Sequence, residues 1–291
     1  MQHPRPLADF HCHNAEAPLW HPEEQRLYWT DIPTGRLFYY DWATGASEQI
    51  YSGEPVGGLT LQADGSLLLF KARGAIARWQ AGVETVLLPE LPAERDSRFN
   101  DAIADPQGRV FAGTMPTPER LGRLYRFDPD GSYTIVLEGL QVSNGMGFRG
   151  DRRCFYHTDS PRREIYRFDY DEASGTLRQQ QVLITTLPIT GVPDGLTVDA
   201  EGYLWSARWD GGHLFRYAPT GEEVLRIPLP ARKVSSVTFG GPDYTDIFIT
   251  TAGGDNRAVE GDGAGQVFHL NLGLAGVPEF RSRLTAVQLE P

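Results

Sequence analysis

The feature that most constrains the fold is a unit that recurs six times along the chain. Each copy starts with a short alternating run, breaks at a turn rich in Gly, Asp or Pro, and continues in an apolar or aromatic run such as LYW, LLLF or YLWSA. These two runs predict the paired strands of a hairpin. The copies begin at residues 16 (EAPLWHPEEQRLYWTD), 57 (GGLTLQADGSLLLFK), 100 (NDAIADPQGRVFAGTM), 144 (NGMGFRGDRRCFYHTD), 194 (DGLTVDAEGYLWSAR) and 235 (SSVTFGGPDYTDIFITT).

A third run follows in each copy, as in GRLFYYD, GRLYRFD and GHLFRYA, and most copies add a fourth. Equivalent positions recur at spacings of 42 to 50 residues, which is the length of a four-stranded propeller blade. The sequence therefore predicts an all-β fold, a six-bladed β-propeller of four-stranded antiparallel blades around a central channel, with residues 1–291 forming a single domain. Two segments compete to close the ring, ADFHCH near the N-terminus and FRSRLTAVQLE near the C-terminus.

The charge and hydropathy of the chain exclude several kinds of partner. A formal net charge of −11 disfavours binding to a phosphate backbone, which requires clustered Lys and Arg. The first residues, MQHPRPLADFHCHN, contain no apolar signal region, and no window approaches 18 uninterrupted apolar residues. We therefore expect no nucleic-acid partner, no membrane insertion and a cytoplasmic location.

The residues that open the inner strands of a propeller form a ring around one mouth of its channel. Two carboxylates and two carboxamides converge in this ring, and carboxylates in a partly dry channel repel one another unless a cation or a proton compensates. Their oxygen atoms suit one divalent cation, Ca²⁺, Mg²⁺ or Mn²⁺, with Zn²⁺ and Fe²⁺ as alternatives. The predicted ring consists of Glu16, Gly58, Asn100, Asn144, Asp194 and Ser236.

Several motifs along the chain carry a resemblance to a known family. AEAPLW, RFNDAIADPQGRVFAGTM, VSNGMGF, FYHTDS and PDGLTVDAEGYLW closely resemble segments of the regucalcin (SMP-30), gluconolactonase and luciferin-regenerating enzyme family. The resemblance runs from about residue 14 to about residue 270, through all six repeats. It implies a six-bladed propeller with one divalent metal in the channel, and members that commonly hydrolyse sugar lactones.

The same resemblance assigns a role to three ring residues. Glu16 of AEAPLW, Asn144 of VSNG and Asp194 of VPDG fall on the metal ligands of the family. Asp194 also falls on its proposed general base, which makes Asp194 the expected catalytic residue. The chain departs from the family at Ala15, where a glycine usually precedes the ligand glutamate.

Three further positions fall on residues that bind substrate in the family. Arg98 and Asn100 of RFND match directly. Glu119, in the short loop PTPERLGRLYRF, is the weaker match to a glutamate that contacts substrate. An arginine offers a rigid fork of donors, and an asparagine offers both donors and an acceptor, so Arg98 and Asn100 could orient a sugar ring.

Together these residues predict a metal-dependent hydrolase that opens a sugar lactone to its aldonic acid, with the lactone as small-molecule partner. Two alternatives stay open because proteins with a propeller fold have many unrelated activities. The same metal site could hydrolyse an organophosphate or an aryl ester. The protein could also be a metal-binding regulator without catalytic activity.

Overall fold

Six antiparallel sheets of four strands each make up the protein, seen here in a computed structural model that describes residues 3–287. In five sheets the four strands follow one another in chain order, as successive hairpins require. The expected six-bladed β-propeller is confirmed.

The first three blades span the N-terminal part of the chain. They consist of β2 (Ala15–His21), β3 (Arg26–Asp31), β4 (Arg36–Asp41) and β5 (Ser47–Ser52); β6 (Val56–Leu61), β7 (Leu67–Lys71), β8 (Ile76–Gln80) and β9 (Val83–Leu88); and β10 (Phe99–Ala104), β11 (Val110–Thr114), β12 (Gly122–Phe127) and β13 (Tyr133–Leu140).

The last three blades follow the same plan. They consist of β14 (Ser143–Phe148), β15 (Cys154–Asp159), β16 (Glu164–Asp171) and β17 (Thr176–Thr185); β18 (Val192–Val198), β19 (Leu204–Trp209), β20 (His213–Tyr217) and β21 (Glu223–Pro228); and β22 (Val234–Gly240), β23 (Asp246–Thr251), β24 (Gln266–Asn271) and β1 (Arg5–Asp9).

Helical structure within the described residues is confined to short segments. Three single-turn 3₁₀ helices cover Ile32–Thr34, Pro92–Glu94 and Pro188–Thr190, each with a proline in its first turn, and one α-helix, α1, covers Arg257–Glu260. None of these helices has the length and hydropathy to cross a membrane.

The first strands of the six blades lie side by side around the central channel. Each contacts the first strand of the next blade, and β22 contacts β2 to complete the circle. All six run in the same direction through the ring, because each blade repeats the same hairpin order. We call the face where they begin the upper face and the face where they end the lower face.

The ring is closed by the N-terminal strand. β1 pairs antiparallel with β24 and becomes the outermost strand of the last blade, with Arg5 opposite His269 and Asp9 opposite Gln266. Of the two candidate segments, the N-terminal one therefore provides the closing strand, although the strand ends at Asp9, before the HCH part of ADFHCH.

The C-terminal candidate instead lies across the lower face. The tail that follows β24 bonds in turn to the lower turns of different blades: the Gly276 amide to the Tyr244 carbonyl at 2.7 Å, the Ser282 amide to the Leu61 carbonyl at 2.9 Å, and the Arg283 amide to the Gly108 carbonyl at 2.9 Å. Leu284 is buried in the apolar cluster between blades 2 and 3. The tail thus forms a floor beneath the channel.

Candidate active site

Each inner strand carries an irregularity close to its upper end. The antiparallel register shifts within two or three residues of the predicted ring in all six blades, as expected for β-bulges, which re-aim side chains and increase local twist. The shifts lie between Glu16 and Leu19, Val56 and Gly58, Phe99 and Asp101, Asn144 and Met146, Pro193 and Leu196, and Val234 and Ser236.

The glycines that follow two ring residues allow neighbouring strands to approach each other. A Cβ on Gly145 would lie 2.4 Å from the Asp194 carbonyl oxygen, and one on Gly195 would lie 2.1 Å from the Ser236 Oγ. Neither glycine has a positive φ, so NG and DG here are not hairpin turns. They are contact points between adjacent blades: Gly145 packs the Asn144 strand against the Asp194 strand, and Gly195 packs the Asp194 strand against the Ser236 strand.

The three expected metal ligands are all buried at the upper end of the channel. Glu16, Asn144 and Asp194 are 8%, 7% and 5% exposed. The Asn144 Nδ2 donates to the Ser160 Oγ at 3.1 Å, which turns the amide so that its Oδ1 points away from Ser160. Glu16 accepts a hydrogen bond at Oε2 from the Ala17 amide at 3.0 Å. The Asp194 charge acts on Glu16, and the Asn144 side chain forms a hydrogen bond with Asp194, so the structure brings these three side chains together.

Burial makes the two carboxyl groups of this set hard to ionise. It raises the pKa of Glu16 well above its usual value, and the nearby charges of Asp194 and Asp101 raise it further. The pKa of Asp194 is raised well above its usual value by burial and by the charge of Asp101, and is partly lowered by the Asn144 amide and by Arg98. A positive charge placed between the carboxylates would relieve both effects.

The donor set fits a hard divalent cation. Two carboxylates and one carboxamide oxygen leave several coordination positions open, as a catalytic metal site requires. Within residues 3–287 no three His, Cys, Asp or Glu side chains come together to hold a metal ion, so the set reaches three protein ligands only through the oxygen of Asn144.

Arg98 and Asn100 lie beside this set and are joined to each other. The Arg98 Nη1 donates to the Asn100 Oδ1 at 2.7 Å and to the Phe99 carbonyl at 3.0 Å. The Asn100 Nδ2 donates to the Ser143 carbonyl at 2.9 Å. Arg98 is half-buried; burial lowers the pKa of its guanidinium, and the charges of Glu16 and Asp194 partly offset this shift. Its other N–H groups remain available to a molecule at the upper mouth.

Comparison with known proteins identifies the family. Residues 14–253 match the SMP-30/Gluconolactonase/LRE-like region. The chain belongs to this family. Pentonolactonase XacC of Haloferax volcanii is 45% identical over 285 residues, covering 95% of this chain and 97% of the relative. The 6-deoxy-6-sulfogluconolactonase of Pseudomonas putida is 35% identical over 248 residues, covering 84% of this chain and 85% of the relative.

A solved structure shows the same architecture. The calcium-binding protein regucalcin of Agrobacterium tumefaciens superposes with a TM-score of 0.89 at 25% identity, covering 97% of each chain. The resemblance stated from the sequence motifs is therefore confirmed, and so is the expectation that the relatives include lactone-hydrolysing enzymes.

Glu119 lies in the loop that joins β11 to β12. Its side chain is exposed and lines a surface hollow with Arg95, Asp96 and Arg120, and its amide donates to the Thr117 Oγ1 at 3.3 Å. No hydrogen bond or ion pair in the described part of the chain joins its carboxylate to the channel residues. Its contact with substrate stays a prediction.

Two charged residues near the site were not anticipated from the sequence. Asp101 raises the pKa of both Glu16 and Asp194, and it reaches the channel because the bulge at Asn100 breaks the alternation of β10. Arg208 is completely buried behind Asp194, where it lowers the pKa of that carboxyl. The signal for Asp101 was present in RFND, where it directly follows the assigned residue Asn100. Arg208 lies on β19, the second strand of its blade, and no motif in the sequence indicated that it lies near the site.

Proposed function

We propose that this protein hydrolyses sugar lactones to aldonic acids in a reaction that depends on one divalent cation. The observation that carries the proposal is the buried set of Glu16, Asn144 and Asp194 at the upper mouth with Arg98 beside it. Family members that act on lactones support the substrate class. The identity with a pentonolactonase over nearly the whole chain favours five-carbon sugar lactones.

Glu16, Asn144 and Asp194 would hold the cation. A cation bound there would polarise the lactone carbonyl and make a neighbouring water molecule more acidic. Asp194 accepts the proton of the attacking water. A carboxylate that holds a cation is a weaker base than a free one, so this transfer would depend on the greater acidity of that water molecule.

Arg98 and Asn100 orient the substrate. Arg98 can donate hydrogen bonds to ring hydroxyls or to the emerging carboxylate of the product, and the charges of Glu16 and Asp194 partly offset the lowering of its pKa by burial. Asn100 uses its Oδ1 to fix the Arg98 guanidinium, and it retains one amide hydrogen for the substrate. Holding the ring in one orientation lowers the entropic part of the barrier.

The test is hydrolysis of pentono- and hexonolactones, followed by pH-stat, with metal-stripped protein reconstituted separately with Ca²⁺, Mg²⁺, Mn²⁺, Zn²⁺ and Fe²⁺. We expect cation-dependent turnover far above the spontaneous rate, with higher kcat/KM for pentonolactones. Asp194→Asn serves as the inactive control. Turnover of phosphotriesters but of no lactone would contradict the proposal.

A further inference from the structure

The segment that carries Arg98 to the upper mouth is held against a second loop on the same face. Residues 89–98 join β9 to β10, and residues 115–121 join β11 to β12. The Ser97 Oγ donates to the Met115 carbonyl at 2.7 Å, and the Met115 amide donates to the Arg98 carbonyl at 3.0 Å. The two segments therefore meet directly at the backbone of Arg98.

A buried carboxylate joins the same two segments a few residues earlier. Glu94 ends the 3₁₀ helix Pro92–Glu94, and its side chain is completely buried. Arg120, on the second loop, donates to the Glu94 Oε2 and also to the Ala93 carbonyl at 2.9 Å. The Tyr125 hydroxyl on β12 donates to the Glu94 Oε1 at 2.6 Å. Glu94 thus ties its own segment to the second loop and to the third strand of the same blade.

Both oxygens of the Glu94 carboxylate have donors of their own. Oε2 forms the ion pair with Arg120, Oε1 accepts from the tyrosine hydroxyl, and the Arg123 Nη1 lies 3.9 Å from Oε1. Loss of one partner from a buried ion pair leaves an uncompensated charge, which is strongly unfavourable. The pair with Arg120 therefore holds the two segments at a fixed separation.

Backbone hydrogen bonds carry this constraint from Glu94 to Arg98. The Ser97 amide donates to the Glu94 carbonyl at 2.9 Å, which closes a turn of four residues, and Arg98 follows directly. The Ser97 carbonyl accepts from the Arg73 amide at 2.8 Å in the turn between β7 and β8. The position of the Arg98 backbone therefore depends on the position of Glu94.

Arg98 consequently has two separate anchors. Its guanidinium is fixed by Asn100, whereas its backbone is fixed by Met115 and by the turn that begins at Glu94. Within residues 3–287 the hydrogen bonds of the Glu94 side chain go to Arg120 and Tyr125 alone, and neither of these is a channel residue. Any influence of Glu94 on a molecule at the upper mouth must therefore pass through other residues.

We propose that Glu94 is a positioning residue for the lactone site, which sets the place of Arg98 through the ion pair with Arg120. This rests on the proposed lactonase function and adds to it a residue that does not contact substrate. The same ion pair fixes the loop that carries Glu119, since Glu119 directly precedes Arg120. Glu94 acts on the binding of the sugar ring, and the cation site lies outside its reach.

The test is a double-mutant cycle of Glu94→Gln and Arg98→Ala in pentonolactone hydrolysis. Glu94→Gln keeps the shape of the side chain and leaves the Arg120 guanidinium without its carboxylate. We expect KM to rise by roughly tenfold with kcat changed by less than about twofold, because a displaced Arg98 binds ground state and transition state equally less well. In the Arg98→Ala background the same substitution should leave KM unchanged.

Asp105→Asn is the matched control at the lower end of the same blade. Asp105 is completely buried and has the same kinds of partner, since it accepts from the Arg109 Nε at 2.5 Å and from the Tyr170 hydroxyl at 2.7 Å. Denaturant unfolding should show a loss of stability in this variant as in Glu94→Gln, but KM should stay at the wild-type value. A purely structural role of Glu94 would give both variants the same KM.

Tyr125→Phe decides the question if Glu94→Gln does not fold, because it removes only the hydroxyl that bonds to Oε1. Its KM should rise by roughly threefold, and not in the Arg98→Ala background. A wild-type KM in the folded variant, or an equal rise of KM with and without Arg98, would overturn the proposal and leave the lactonase function intact. A wild-type protein that hydrolyses no lactone would overturn both proposals.

Discussion

Arg98 and Asn100 are held together by a hydrogen bond of 2.7 Å between Nη1 and Oδ1, and Asn100 in turn donates to the carbonyl of Ser143 in the next blade. Ser143 directly precedes the expected metal ligand Asn144. The position of the Arg98 guanidinium is therefore coupled to the strand that carries part of the cation site.

Replacing Asn100 by alanine should act mainly through Arg98. Loss of a hydrogen bond to a charged group costs about 1.5–3 kcal/mol, so we expect kcat/KM to fall by roughly ten- to a hundredfold, largely through KM. Steady-state kinetics with a pentonolactone measure this. Asn271→Ala, which removes an asparagine bonded to Thr245 and Asp246 in the outer part of the last blade, is the control and should keep wild-type KM. Unchanged KM in Asn100→Ala would contradict the coupling.

Gly145→Ala should disturb both stability and cation binding. The new Cβ would lie 2.4 Å from the Asp194 carbonyl oxygen, which forces the two ligand strands apart. Overpacking of this kind costs about 1–3 kcal/mol. Denaturant unfolding and calorimetric cation titration measure the two effects. The matched control is Gly150→Ala in the following turn, where a Cβ meets no atom within 4 Å. Equal stability and equal cation affinity of the two variants would show that the close contact between the two strands is not required for folding or for cation binding.

Asp194→Asn should abolish stabilisation by the cation without destabilising the metal-free protein. The metal-free variant should be at least as stable as the metal-free wild type, because the substitution removes a buried carboxyl whose pKa is raised by burial and by the Asp101 charge. Wild type should gain about 2.7 kcal/mol at a cation concentration about a hundredfold above Kd, and Asp194→Asn should not. Thermal unfolding with and without cation measures this. Asp210→Asn, an exposed position, should behave like wild type.

Glu279→Gln should be more stable than wild type in alkaline solution. Burial raises the pKa of Glu279 from 4.5 to about 7, so the folded protein binds a proton that the unfolded chain releases. Stability of wild type should therefore fall as the pH rises from about 4.5 to about 7, and the full penalty remains above that range. Allowing for access of the carboxyl to water in the small channel cavity that it lines, we expect a difference of about 1–2 kcal/mol at about pH 8.

That difference should disappear below about pH 4.5, where Glu279 is protonated in both states. Denaturant unfolding across this pH range, in the presence of a chelator, gives the curve. A constant offset between Glu279→Gln and wild type at every pH would indicate a packing effect rather than a buried ionisable carboxyl.

The sequence alone was enough to predict the propeller and the candidate ligands. Each repeat carries its own hairpin pattern, and a unit that cannot bury its own apolar faces must stack against copies of itself. The repeats placed Glu16, Asn144 and Asp194 among the residues that open the inner strands, and the resemblance to the SMP-30 family singled out these three as the expected metal ligands. These properties are local or periodic, so they can be read along the chain.

The tertiary structure determined the positions of residues that do not follow the repeat pattern. Asp101 enters the channel only because a bulge at Asn100 breaks the alternation of β10. A bulge has no regular sequence pattern from which it could be predicted. Glu279 reaches the space beneath the site because an unpatterned tail crosses the lower face and bonds to several blades. The repeats thus fix the architecture and the upper ring of polar residues through nearest-neighbour packing. The lower half of the channel depends on contacts between segments far apart in sequence, which only the folded chain brings together.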